Sequence, residues 1–198
     1  MVELLDVPPG AIASVVTYLE MTERPRPRPG PVMMGLHLVP MSDPDPERYR
    51  ALFRAIGAPW LWFSRLQLDD ASLRARLTAP GVALYVVQER KVDVGLLELD
   101  FSAQDEVEIS FFGLAPHCTG RGAGSWLMAQ ALALAWAKKP RRVWLHTCSL
   151  DHPRALAFYQ KHGFRPYARK VEIAPDPRLT GLLPPDAAPH VPVIGETA

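Results

Sequence analysis

The stretch that most narrows what this chain can fold into is Thr119-Gly120-Arg121-Gly122-Ala123-Gly124-Ser125. It follows a run rich in β-branched and aromatic residues, Val107 to Leu114. It precedes an Ala- and Leu-rich run, Trp126 to Lys138, with no breaker until Pro140. The pattern reads as a strand, a glycine turn and a helix in direct succession. The first turn of any α-helix carries N–H groups with no intrahelical acceptor, and the helix dipole adds positive charge at the same point. Such an arrangement is suited to a phosphate group.

Two common phosphate-binding patterns do not fit. The dinucleotide fingerprint needs a sixth-position glycine, where counting from Gly120 gives Ser125. It also needs an acid about 20 residues further on, where this chain has Lys138-Lys139-Pro140-Arg141-Arg142. No Gly-Lys-Ser/Thr occurs, so the P-loop fails too. A lone Gly-x-Gly turn can be no more than a helix start. Against that stands a second landmark, Asp151-His152-Pro153-Arg154-Ala155-Leu156-Ala157-Phe158-Tyr159-Gln160-Lys161-His162-Gly163-Phe164. Pro153 suits a first helical turn, with Asp151 or His152 at the cap. Gly163 suits the position just past the helix end, and Phe164 returns the chain to a strand.

Together the two landmarks resemble the GNAT superfamily of acyl-CoA-dependent N-acyltransferases. The family's loop, Arg/Gln-x-x-Gly-x-Gly/Ala, is matched at Gly122 and Gly124. Its second signature, Asn-x-x-Ala-x-x-x-Tyr followed by Gly-Phe, is matched at Ala155, Tyr159, Gly163 and Phe164. Thr119 replaces the usual Arg or Gln, and His152 stands where Asn is usual. The resemblance is specific from about Val82 to Phe164 and thins on both sides. It implies acetyl-CoA as acyl donor, held at Thr119, Gly120, Arg121, Gly122, Ala123, Gly124, Ser125 and His152. It also implies a splayed strand whose free amides at Phe112, Gly113 and Leu114 bind the pantetheine and polarise the thioester. The family uses no metal, and none is expected.

Acyl transfer to an amine needs an acid for the leaving thiolate and a base for the ammonium. The acid candidate is Tyr159, on one helical face with Ala155; its plainer use is core packing beside Phe158. The base candidate is Glu108, at the spacing ahead of the loop that histone-type members of the family use. Strand alternation puts Glu108, Ser110, Phe112 and Leu114 on one face. Its plainer reading is an exposed strand charge, and Glu98 on the adjoining strand competes for the role. Bulky Phe111 and Phe112 near the acyl end favour acetyl over a longer chain. Direct transfer leaves Cys118 and Cys148 structural. The histidines His117, His146, His152 and His162 show no metal-ligand spacing.

The acceptor is read from Trp60-Leu61-Trp62-Phe63-Ser64-Arg65, whose aromatic density suits either a substrate wall or a plug between helices. Trp60, Trp62, Arg65 and Glu98 are the substrate-side candidates. Peptide, amino acid, polyamine and aminoglycoside all remain open. The expected activity is acetyl transfer from acetyl-CoA to a small-molecule or peptide primary amine. The alternatives are a non-catalytic acyl-CoA-binding regulatory domain or a transferase using a longer acyl-CoA.

The rest of the chain agrees with one enzyme domain. Its 198 residues, 48% hydrophobic, suffice for one sizeable core. A net charge of +1 without a dense basic cluster argues against a nucleic-acid surface. No apolar run approaches the about 18 residues of a membrane span, and no leader pattern opens the chain. Two cysteines fit free thiols in a reducing compartment. The expectation is a cytoplasmic protein without membrane or nucleic-acid partners, with a homodimer possible.

Three segments are expected: residues 1–31, a strand (Ala13 to Met21) and a Pro/Arg-rich linker (Arg24 to Pro31); residues 32–173, the acyltransferase domain; and residues 174–198, a Pro-rich tail that is poorly ordered or draped on the surface. Within the domain, strands are expected at Met34–Val39, Ala83–Gln88, Val92–Asp100, Val107–Leu114, Arg142–Cys148 and Phe164–Ile173. Helices are expected at Asp45–Ile56, Asp69–Leu77, Trp126–Lys138 and His152–His162. That order gives an α/β sandwich around a mixed, mostly antiparallel sheet, with splayed strands at the cofactor site.

Overall fold

The computed structural model describes residues 4–26, 33–120 and 122–195. Most of the Pro/Arg-rich run, residues 27–32, lies outside the described residues, as does Arg121. Seven strands form one sheet: β1 (Ala11–Met21), β2 (Leu36–Pro40), β3 (Val82–Glu89), β4 (Val92–Asp100), β5 (Glu106–Leu114), β6 (Arg142–Cys148) and β7 (Arg165–Pro175). Their order across the sheet is β2-β3-β4-β5-β6-β1-β7. Every neighbouring pair is antiparallel except β5 and β6, which run parallel.

Four helices cover the sheet: α1 (Pro46–Gly57), α2 (Asp70–Leu77), α3 (Ala123–Ala137) and α4 (Ala155–Lys161). The Asp45 side chain accepts from the Arg48 amide at 2.8 Å and Asp69 from Ser72 at 2.7 Å, so α1 and α2 start where their caps dictate. On α1 the 3.6-residue period buries Tyr49, Leu52, Phe53 and Ile56. α4 begins at Ala155 rather than His152. Asp151 cannot cap it, because its carboxylate is taken by Thr147, the Cys148 amide and Trp62.

Two cores lie on opposite faces of the sheet. One gathers Leu19, Val107, Ile109, Leu127, Met128, Leu145 and Phe164 beneath α3. The other gathers Ile12, Tyr49, Phe53, Leu73, Val86 and Leu96 beneath α1 and α2. The C-terminal segment belongs to the second core: Leu183 and Ala188 are buried in it. Arg178 is buried with Asp176 at 2.6 Å and donates to the carbonyls of Ala187, Ala188 and Val191. The segment is stitched to the start of β1 at both ends. The Asp176 amide donates to Gly10, and the Gly10 amide to Ile194. The Pro-rich tail is therefore draped but docked, because its few apolar residues and one buried cation find partners despite the prolines.

A bulge in β5 shapes everything near the loop. Leu99 pairs with Ile109 and Glu98 with Phe111, so Ser110 is the extra residue on β5. Before it, Ile109 enters the α3 core while Glu108 faces the other side. After it, Phe111 packs in the α1 core and Phe112 against the α3 core. The expectation that Glu108 and Phe112 share a face is corrected: the inserted Ser110 reverses the alternation between them.

Candidate active site

The parallel pairing of β5 with β6 spans Glu106↔Arg142, Val107↔Val143 and Glu108↔Trp144, and stops there. Beyond Glu108 the two strands diverge into an open wedge. The Ala115 amide donates to Val94 across the β4 edge. Strand alternation then turns the Gly113 peptide groups toward β4 and leaves those of Phe112 and Leu114 facing the wedge. A cavity of about 1150 Å³ occupies it, reaching from the glycine loop at one end to Glu108 and His146 at the other.

At the loop end, Gly122 caps α3 with φ 85° and no side-chain hydrogen bond, leaving the helix amides to a ligand. Gly120, with φ 84°, has open space where a Cβ would stand. Thr119, Gly120, Gly122, Gly124 and Ser125 line the cavity, as does His152. Ala123 is buried instead, and Arg121 falls outside the described residues. The Thr119 hydroxyl is spent on the Pro116 carbonyl at 2.8 Å. The His152 ring accepts from the Arg154 amide and lies tilted against Trp60, with ring centres 5.1 Å apart. Arg154 and Lys161 also line this end. They share the helical face of Phe158, which packs beside Gly124, and so flank the loop with positive charge. The sequence offered only the spacing 154-158-161 to find them.

Between the ends sits Tyr159, whose ring lies 6.2 Å from that of Phe112 and contacts Phe158 and Phe164 edge-on. It both packs and lines the cavity. Its hydroxyl has no hydrogen-bond partner among the described residues. Burial, with the Asp151 charge second, holds the phenol well above its ordinary value, so it stays protonated.

At the far end Glu108 lines the cavity with His146 at 3.9 Å. Burial pushes the Glu108 carboxyl up, against the opposing pull of His146, while Asp100 adds to the rise and Arg76 resists it. A raised carboxyl is a stronger base once ionised. Cys148 lines the cavity as well, but burial and then the Asp151 charge raise its thiol. A thiol so held is a poor nucleophile.

The competing carboxylate, Glu98, is not brought to the site. It is fully buried behind the wall, held by Arg65 at 2.6 Å and the Tyr49 hydroxyl at 3.2 Å. Neighbouring strand positions pointing alike could not tell the two acids apart; the packing of α1 does. Trp60, Trp62 and Arg65 do line the cavity. Trp62 is also a structural plug: its indole donates to Asp151 at 2.9 Å, bridging to the end of β6. A Cβ added at Gly57 or Gly113 would run into it or into Ile56. Gly113 therefore makes room for protein, where the family resemblance implied an amide free for the pantetheine.

Other lining residues with polar chemistry, Ser14, Arg76, His146 and Glu172, carry no motif in the sequence. Elsewhere, ligand atoms of Glu89, His117 and Cys118 lie within 4.8 Å of one another, a grouping that chain spacing does not show. No helix among the described residues is long and apolar enough to cross a membrane.

The strand, glycine cap, wedge and Tyr159-bearing helix can now be set beside known proteins. The sequence profile of the acetyltransferase (GNAT) family matches residues 49–164. This chain belongs to the GNAT family. Among solved structures, a GCN5-related N-acetyltransferase from Sphaerobacter thermophilus superposes with a TM-score of 0.62 at 16% identity, over 82% of this chain and 51% of that one. A functionally unknown conserved protein from Staphylococcus epidermidis gives 0.56 at 17%, over 84% and 63%. A GNAT family acetyltransferase from Elizabethkingia anophelis, solved with acetyl-CoA bound, gives 0.51 at 20%, over 67% and 78%. The chain spans less than two thirds of the first two, and these likenesses show the fold. No curated protein matches the sequence. The GNAT fold is thus a seven-stranded, mostly antiparallel sheet with four α-helices among the described residues.

Proposed function

We propose that the protein is an acyl-CoA-dependent N-acyltransferase that moves acetyl from acetyl-CoA to a primary amine in one direct step. The observation that carries this reading is the single cavity joining the glycine-capped N-terminus of α3 to Glu108 through the β5–β6 wedge. The amides at the start of α3, with Arg154 and Lys161 beside them, suit a pyrophosphate. The wedge-facing amides of Phe112 and Leu114 suit the pantetheine and the thioester oxygen. Phe112 against Phe158 and Tyr159 narrows the space near the acyl end, which favours acetyl over longer chains.

Acetyl-CoA, when bound, supplies the activated acyl carbon; the chain's own groups handle the protons. Glu108 takes the proton from the acceptor ammonium and so frees the nitrogen lone pair for the acyl carbon. As the carbon–sulfur bond breaks, its electrons leave on sulfur. The Tyr159 hydroxyl, protonated and unpartnered, donates to that sulfur. The second proton, which the nitrogen sheds after attack, passes to the thiolate directly or replaces the one Tyr159 gives up, so that thiol leaves and Tyr159 ends protonated. The raised Cys148 thiol supports direct transfer over an acyl-enzyme.

Thiol release from acetyl-CoA in the presence of a mixed amine panel tests the activity. Tyr159→Phe is expected to lower turnover by about 10²–10⁴ with acetyl-CoA affinity nearly preserved. Turnover retained within a factor of about two would mean that water protonates the thiolate.

A further inference from the structure

The two ends of the cavity differ in charge. At the α4 end, Arg154 and Lys161 line it with no acid in ion-pair contact among the described residues; Asp151 also lines the cavity, and its carboxylate is spent on Trp62, Thr147 and the Cys148 amide. At the sheet end the lining arginines are Arg65 and Arg76, and both are already neutralised from behind. Glu98 holds Arg65 at 2.6 Å, and Asp100 holds Arg76 at 2.9 Å with Glu98 at 3.7 Å. Neither Glu98 nor Asp100 lines the cavity. Arg65 Nε lacks a partner, but it is sealed from solvent and so closed to a ligand.

What remains uncompensated at this end is negative. Glu108 has His146 at 3.9 Å and feels Arg76 without an ion pair to it, and Glu172 on β7 has no cation in ion-pair contact among the described residues. The rest of the wall is mostly apolar, built from Leu61, Phe63, Phe111, Leu150 and Trp60, with the neutral hydroxyls of Ser14, Ser64 and Ser110 as its other polar groups. An ammonium entering here meets a residual negative field. A carboxylate would meet cations that already have partners, a wall with only a few neutral hydroxyls to solvate it, and two like charges.

We propose, resting on the acyltransferase reading above, that the acceptor is a primary amine on an apolar carbon body with no carboxylate beside the nitrogen. An arylalkylamine fits this wall and a free amino acid does not. The α4 end, with its unneutralised cations, is left to the anionic donor.

Phenethylamine and phenylalanine share one skeleton and differ by the carboxylate; cadaverine replaces the ring with a second ammonium. With acetyl-CoA and each of the three, thiol release and the mass of the N-acetyl product are read together. The value of kcat/KM for phenethylamine is expected to exceed that for phenylalanine by roughly tenfold or more. Equal values, or a preference for phenylalanine, overturn the acceptor class and leave the transferase reading standing. A preference for cadaverine overturns the apolar body. No thiol release with any amine, while acetyl-CoA still binds, overturns the transferase reading and the class with it. Asp100→Asn is a second arm: it leaves Arg76 less neutralised, so the ratio should move several-fold toward phenylalanine. An unmoved ratio in a folded variant would show that neutralisation of Arg76 does not set the preference.

Discussion

The half of the cavity that we assign to the donor is made mostly of backbone and the half that we assign to the acceptor mostly of side chains, and the two obey different rules. The donor half needs a helix N-terminus, glycines that keep it open and a strand edge with nothing paired to it. The acceptor half draws on Ser14, Trp60, Arg76, Glu108, His146 and Glu172, carried on elements far apart in the chain. Backbone sites depend on conformation, so substitution there acts through φ and space. Side-chain sites depend on charge, so substitution there acts through pKa and pairing.

The sharpest break of this contrast is Glu108→Gln. It keeps the shape of the acceptor half and removes the base, so turnover at neutral pH is expected to fall by about 10²–10⁴ with acetyl-CoA affinity unchanged by calorimetry. Since burial raises the Glu108 carboxyl, the acid limb of the parent's pH–rate profile should be shifted up from that of an ordinary glutamate, and the variant should lose that limb. The sign for stability is opposite to that for activity. A carboxyl raised on folding contributes stability at low pH that is lost as pH rises through its folded value. Glu108→Gln should therefore be at least as stable as the parent at neutral pH. A parallel pH–rate profile would remove Glu108 from the mechanism.

Glu98→Ala comes next and should fail differently. It strands the buried Arg65 guanidinium, at an expected cost of about 3–5 kcal/mol in urea unfolding. In the protein that remains folded, the pH–rate profile should keep its shape. A lost acid limb would return Glu98 to the chemistry.

Gly113→Ala probes the seam between the halves. The added methyl meets Ile56 and Trp62, so a loss of about 1–3 kcal/mol is expected from overpacking. Wild-type stability would mean that α1 and the Trp62 loop yield freely.

The smallest effects separate two loop glycines that look equivalent in sequence. Gly122→Ala must hold φ 85° with a side chain, which costs about 1–2 kcal/mol. Gly124→Ala sits inside α3, with its methyl in ordinary contact range of Phe158, and should be neutral or gain up to about 0.5–1 kcal/mol. Thermal unfolding of the pair distinguishes them; equal losses would put the strain elsewhere.

The same contrast explains what could be read from the sequence. The glycine cap, α3, the Tyr159 helix and the succession of strands along the chain were legible because each rests on local periodicity or on one residue's conformational freedom. α1 and its buried face were legible for that reason too. The bulge at Ser110 was not, since Ser carries no bulge signal, and it overturned the shared face of Glu108 and Phe112. Nor did the sequence distinguish Glu98 from Glu108, two strand carboxylates whose fates differ only through what α1 and α2 bring to them. Trp62 was legible as either substrate wall or plug; it bridges to Asp151 as a plug and lines the cavity as well. The docking of the C-terminal segment was hidden because prolines argue against regular structure, not against burial.

That docking also has a consequence in time. A ribosome delivers the core beneath α3 complete once Phe164 has emerged, whereas the core beneath α1 waits for Leu183 and Ala188. A nascent chain paused just after Pro175 would own its whole sheet and its donor loop while its other core stayed open. The donor half is therefore positioned to mature first, and the stretch made after Pro175 is the one that closes the back of the acceptor half.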